Sequence, residues 1–128
     1  MYLFVDPSEK DQIHLALFDE DRFFEKKTEV SNRELLASID AFFGEENINK
    51  KDLRGVMVVV GAGGFTSTRI AVTVVNTFGY VLQIPLLAIT KDQSSNIQDL
   101  IPELNKQPKG QYISATYSAE PSISKSNK

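Results

Sequence analysis

Val56-Met57-Val58-Val59-Val60-Gly61-Ala62-Gly63-Gly64-Phe65-Thr66-Ser67-Thr68-Arg69-Ile70 is the stretch that decides the fold. Five apolar residues in a row, four of them β-branched, suit a strand buried on both faces. A glycine-rich turn follows, and residues 65–82 then carry an apolar pattern of helical period. A buried strand feeding a helix through a tight turn is half of a βαβ unit. The second half is Ile84 to Thr90, another short apolar strand with Pro85 at its mouth.

Upstream of this unit the period changes to two. Tyr2 to Val5 is an apolar run that ends at Asp6-Pro7-Ser8. Ile13, Leu15 and Leu17 alternate with His14, Ala16 and Phe18. Arg22 to Glu29 reads as a third strand after the polar turn Asp19-Glu20-Asp21. Short turns between three strands predict an antiparallel meander. Ser31-Asn32-Arg33-Glu34 has the form of a capping box. Leu35, Leu36, Ile39, Phe42 and Phe43 follow at helical spacing, and Gly44 is the expected stop. Thr66 is the expected N-cap of the second helix. Asn96 to Leu104 suits a short helix limited by Pro102, and Gln111 to Tyr117 a possible last strand. The order βββ-α-β-α-β predicts an α/β lobe with a mixed five-stranded sheet and helices outside it. That is the layout of the ribonuclease-H-like unit, which recurs as half of an actin-like ATPase.

The chain has 128 residues, 41% apolar and 24% charged, which fits one domain with a proper core. Residues 1–117 are expected to form a single lobe. Glu120 to Lys128 is rich in Ser, Lys and Asn, so 118–128 is expected to be a disordered tail. Fourteen basic and seventeen acidic residues leave a net charge of −3, unlike the basic surplus of a nucleic-acid surface. The absence of cysteine excludes thiolate metal sites, iron–sulfur clusters and thiol nucleophiles. No apolar run approaches the roughly 18 residues of a membrane span. The first residues lack the basic start of a signal peptide, and a cytoplasmic location is the expectation.

Known chemistries find little support. Gly61, Gly63 and Gly64 at a helix start would suit an anion on backbone N–H groups. Yet no Gly-Lys-Ser/Thr follows, and Thr66 stands where G-x-G-x-x-G needs its last glycine. A strand-to-helix turn that requires small residues explains the loop better. A two-metal nuclease needs several clustered carboxylates. Asp6 would be a suitable first one, but the strand from Val56 ends in Gly61, not an acid, and Asp6 also suits capping the turn that follows it. His14 is the only histidine, out of phase with the apolar positions of its strand, and reads as a surface or packing residue. Asp19-Glu20-Asp21 reads as a solvated turn, since no calcium-loop pattern follows. No metal and no cofactor are expected.

The helix over residues 66–82 carries one charge, Arg69. A helix on the outside of a sheet normally shows water a charged face. This one shows Thr66, Arg69, Thr73, Asn76, Thr77 and Tyr80 opposite its apolar arc. The pattern predicts that something covers it, either its own neighbours or another protein. The latter is the preferred expectation, at Ile70, Thr73, Val74, Thr77, Phe78 and Val81, joined by Leu35, Ile39 and Phe43 of the first helix.

Gly61-Ala62-Gly63-Gly64-Phe65-Thr66-Ser67-Thr68-Arg69-Ile70-Ala71 resembles the G-P-G-S-F-T-G-L-R-I-G signature of TsaB (YeaZ) proteins. Gly61, Gly63, Phe65, Thr66, Arg69 and Ile70 match, while Ala62, Gly64, Ser67 and Thr68 depart from it. Gln83-Ile84-Pro85-Leu86 resembles the family's G-I-P-L segment, Val5-Asp6-Pro7-Ser8 its opening D-T-S, and Asn32 to Asp40 its first-helix pattern. The three pieces occur in the family's order over about residues 1–92. The resemblance implies the first of two actin-like lobes. It implies a non-catalytic partner that docks by its helices onto a TsaD-type subunit, in making threonylcarbamoyladenosine (t6A) at tRNA position 37. The metal and the transfer chemistry would belong to that partner, and tRNA would be met only indirectly. Asp6 and Ser8 would lie nearest any nucleotide. Pro7, where the family has threonine, and the lack of a second lobe point away from nucleotide binding by this chain alone. The alternatives are the nucleotide-binding half of an actin-like ATPase completed by another chain, and a diverged paralogue that pairs with itself.

Overall fold

The computed structural model describes residues 1–29, 31–110 and 112–113. Strands β1 (Tyr2–Asp6), β2 (Ile13–Phe18) and β3 (Phe23–Thr28) form the meander. Helix α1 (Leu35–Glu45) leads to β4 (Gly55–Val59), and α2 (Phe65–Leu82) to β5 (Leu86–Ile89). The sheet order is β3-β2-β1-β4-β5. β1 pairs antiparallel with β2 and parallel with β4, and β4 is parallel to β5. This is the mixed five-stranded sheet of a ribonuclease-H-like, actin-like lobe. The apolar runs of β1 and β4 follow from their places: each has a strand on either side and a covered sheet face above and below, and both are buried throughout.

The two sheet faces hold separate cores. Leu3, Val5, Ile13, Leu15, Leu17, Val56 and Val58 meet α1 and α2. On the other face Tyr2, Phe4, Phe18, Met57 and Val59 meet Ile97, Ile101 and Leu104. The last three come from a 3₁₀ stretch, Gln93–Leu100, and a short helix α3 (Ile101–Asn105).

Several boundaries correct the sequence reading. Ser31 accepts the Arg33 N–H, but it starts a 3₁₀ turn, Asn32–Glu34, and not the α-helix itself. Helix α1 runs through Gly44. Its left-handed residue is Asn47 (φ 55°), where Asn47 N–H donates to Gly44 and Ile48 N–H to Phe43. That is a Schellman ending with Asn in the glycine role. Gly64 caps α2, and Thr66 lies inside its first turn. Pro102 opens α3 and does not limit it, because a proline lacks only an N–H that the first turn leaves unbonded anyway. The edge strands are shorter than expected. Of the possible strand over Gln111 to Tyr117, Tyr112 and Ile113 are in no strand and the rest lie outside the described residues, as does the expected tail 118–128.

Candidate functional site

Two places bring the singled-out residues together: the carboxyl ends of the parallel strands, and the groove between α1 and α2. At the strand ends, β1 exits at Asp6, β4 at Gly61 and β5 at Thr90-Lys91. Asp6 is 1% exposed. Its Oδ1 accepts the Ser8 N–H at 2.9 Å, and its Oδ2 takes the Lys91 ammonium at 2.5 Å. Burial alone would raise the Asp6 pKa. The hydrogen bonds from Lys91 and Ser8 outweigh burial and hold it below the usual carboxylate range. Asp6 thus caps its turn as expected, and Lys91 is the partner the sequence concealed.

The glycine loop has a packing reason for its composition. Gly61 and Gly63 have φ of 78° and 80°. A Cβ on Gly63 would stand 2.5 Å from the Ser8 carbonyl oxygen, so the loop lies directly against the β1–β2 turn. Thr68 closes the start of α2 by donating to the Gly64 carbonyl at 3.0 Å. Thr66 and Arg69 are exposed on the first turns of α2. Among the described residues no group of three or more His, Asp or Glu side chains could hold a metal ion. No described helix is long and apolar enough to cross a membrane.

The other motifs take the roles expected of surface features. His14 stands edge-on to Phe4 with its Nε2 on Glu25. Asp19 binds the N–H groups of Asp21 and Arg22, and its other oxygen takes the Arg22 guanidinium at 2.8 Å. The guanidinium and the turn N–H groups bring its pKa down to about 2.

The second place is apolar. Leu36, Thr73, Val74, Thr77, Phe78, Val81 and Leu82 line a groove of about 380 Å³, with Asp40 and Lys50 paired at its rim. Thr66, Arg69 and Ile70 continue it along α2 beside Thr73 and Val74. Leu36 is 52% and Val81 68% exposed. Four residues expected on a docking face are buried: Phe78 of α2, 9% exposed at the floor of the groove, and three of α1. Leu35, Ile39 and Phe43 are buried in the core, at 1%, 0% and 2% exposure, and fasten α1 to the sheet. Leu36, at one end of the same apolar arc, faces the groove instead. The far flank of α2 is covered by the chain itself: the Asn76 amide both donates to the Ile113 carbonyl (3.0 Å) and accepts its N–H (2.8 Å).

A mixed sheet in the order 3-2-1-4-5, with helices on both faces and a glycine turn leading from β4 into α2, defines an actin-like lobe of ribonuclease-H-like type. The family model described as TsaD, tRNA N6-adenosine threonylcarbamoyltransferase, matches residues 27–116, and the chain belongs to that family. YeaZ from Pseudomonas aeruginosa superposes with a TM-score of 0.63 at 26% identity, over 70% of this chain and 44% of that one. A structure titled as an uncharacterized protein similar to peptidase YeaZ, also from P. aeruginosa, gives 0.63, 26%, 70% and 42%. The chain therefore spans less than half the length of these two relatives. Comparison with curated proteins gives no match.

Proposed function

We propose that this chain is a TsaB-like, non-catalytic lobe that docks onto a TsaD-type subunit in t6A modification of tRNA. The observation that carries the docking is the groove between α1 and α2. It is lined almost wholly by apolar and threonine side chains, and it leaves Leu36 and Val81 largely open to water. An apolar patch of this kind on a small lobe marks an interaction surface. Family membership and the YeaZ-like fold supply the choice of partner. Ile70, Thr73, Val74, Thr77 and Val81 would carry the contact with Leu36, while Phe78, Leu35, Ile39 and Phe43 would support it from beneath.

Light scattering after size exclusion tests the reading. The chain is run alone and then with the TsaD-family protein of its own genome. A one-to-one complex is expected, and Val81→Glu should abolish it. A dimer indifferent to that protein would overturn the choice of partner. A monomer in both runs would overturn the docking face.

A further inference from the structure

Open α/β sheets take ligands at the carboxyl ends of their strands, where the strand order reverses. Here the reversal is at β1, with β2 and β3 to one side and β4 and β5 to the other. Asp6 stands at that point and is buried. A buried carboxylate needs a cation or a proton. Its cation comes from Lys91, 85 residues on, whose side chain is 44% exposed. The same ammonium lies 3.8 Å from the Glu9 carboxylate. Ser8, two residues after Asp6, has its hydroxyl oxygen out of water's reach. Two carboxylates thus share one monovalent cation, with the Ser8 side chain close to Asp6. These are hard oxygen donors, of the kind that hold Mg²⁺ or Mn²⁺ with water filling the remaining positions.

We propose that Lys91 is a built-in counter-ion: its ammonium holds the place at Asp6 that a divalent metal would take, and so keeps the strand-end crevice closed to metal and metal–nucleotide. The lysine fits this role because its stem crosses from the exit of β5 to that of β1 while its charge stays hydrated. Gly63, packed on the Ser8 backbone, closes the crevice beside it. The proposal does not depend on the docking reading.

The test uses wild type, Lys91→Met, and the double variant Asp6→Asn with Lys91→Met. Mn²⁺ is titrated in, free Mn²⁺ is read by electron paramagnetic resonance, and melting is followed in parallel. Lys91→Met should bind Mn²⁺ at least about tenfold tighter than wild type, and its melting temperature should rise with the ion. The double variant, with neither charge, should fold and bind none. Wild type binding Mn²⁺ as tightly as Lys91→Met would overturn the proposal. So would a folded Lys91→Met that binds none, or one that stays unfolded in Mn²⁺ while the double variant folds.

Discussion

Gly63 and Ser8 touch so closely that a Cβ on Gly63 would lie 2.5 Å from the Ser8 carbonyl oxygen and 2.6 Å from its Cα. The contact joins the turn after β1 to the turn after β4, with backbone on both sides. Neither side yields as a flexible side chain would. Gly63→Ala also places a Cβ at φ 80°. The two penalties together should cost about 3 kcal/mol of stability. Urea unfolding of the two chains measures it. A loss under about 0.5 kcal/mol would mean that the turns separate easily.

The Asp6–Lys91 pair makes a pH prediction. The folded Asp6 pKa lies below the ordinary 3.8, so the folded state binds its proton less readily than the unfolded one. The stabilisation is complete above the unfolded value and is lost as pH falls through the folded value. Wild type should lose stability through that acid window more steeply than the double variant with Asp6→Asn and Lys91→Met. Equal slopes in acid would contradict the folded pKa direction. Lys91→Met alone should be the least stable of the three at neutral pH, because a buried carboxylate is then left unpaired.

Asp19 should titrate at about 2 in a carboxyl-resolved NMR titration. Arg22→Ala removes the guanidinium and should move it back toward 3.8. The N–H bonds of Asp21 and Arg22 remain in the variant, so only the guanidinium's share of the shift, and of the stability linked to it at neutral pH, should be lost.

The two sides of α1 should respond differently to substitution. Ile39→Ala empties a fully buried position and should cost about 2–5 kcal/mol. Leu36→Glu touches a half-exposed position and should change stability by less than about 1 kcal/mol, while weakening partner binding. Thermal melts and binding assays on the same two proteins separate the effects.

What was legible in the sequence was what depends on neighbours in the chain. The apolar runs of β1 and β4, the alternation of β2 and the helical arc of residues 35–43 each announced their element. The mixed sheet followed from their order. Lys91 was hidden because only the common exit of β1 and β5 brings it to Asp6. Burial of Leu35, Ile39 and Phe43 was misplaced for a related reason. An apolar arc does not say which edge meets the sheet and which meets a groove. Gly44 misled because Asn47 can also adopt the left-handed conformation that ends a helix. The sequence also hid that the chain covers one flank of α2 itself, where Asn76 clasps Ile113 across 37 residues of sequence.

Docking through the groove of α1 and α2 is the central claim, and titration calorimetry tests it most directly. The chain is titrated into the TsaD-family protein of its genome, as wild type and as Val81→Glu. The account predicts one-to-one binding for wild type and none for Val81→Glu, with both chains melting at the same temperature. Val81→Glu binding as tightly as wild type would contradict it.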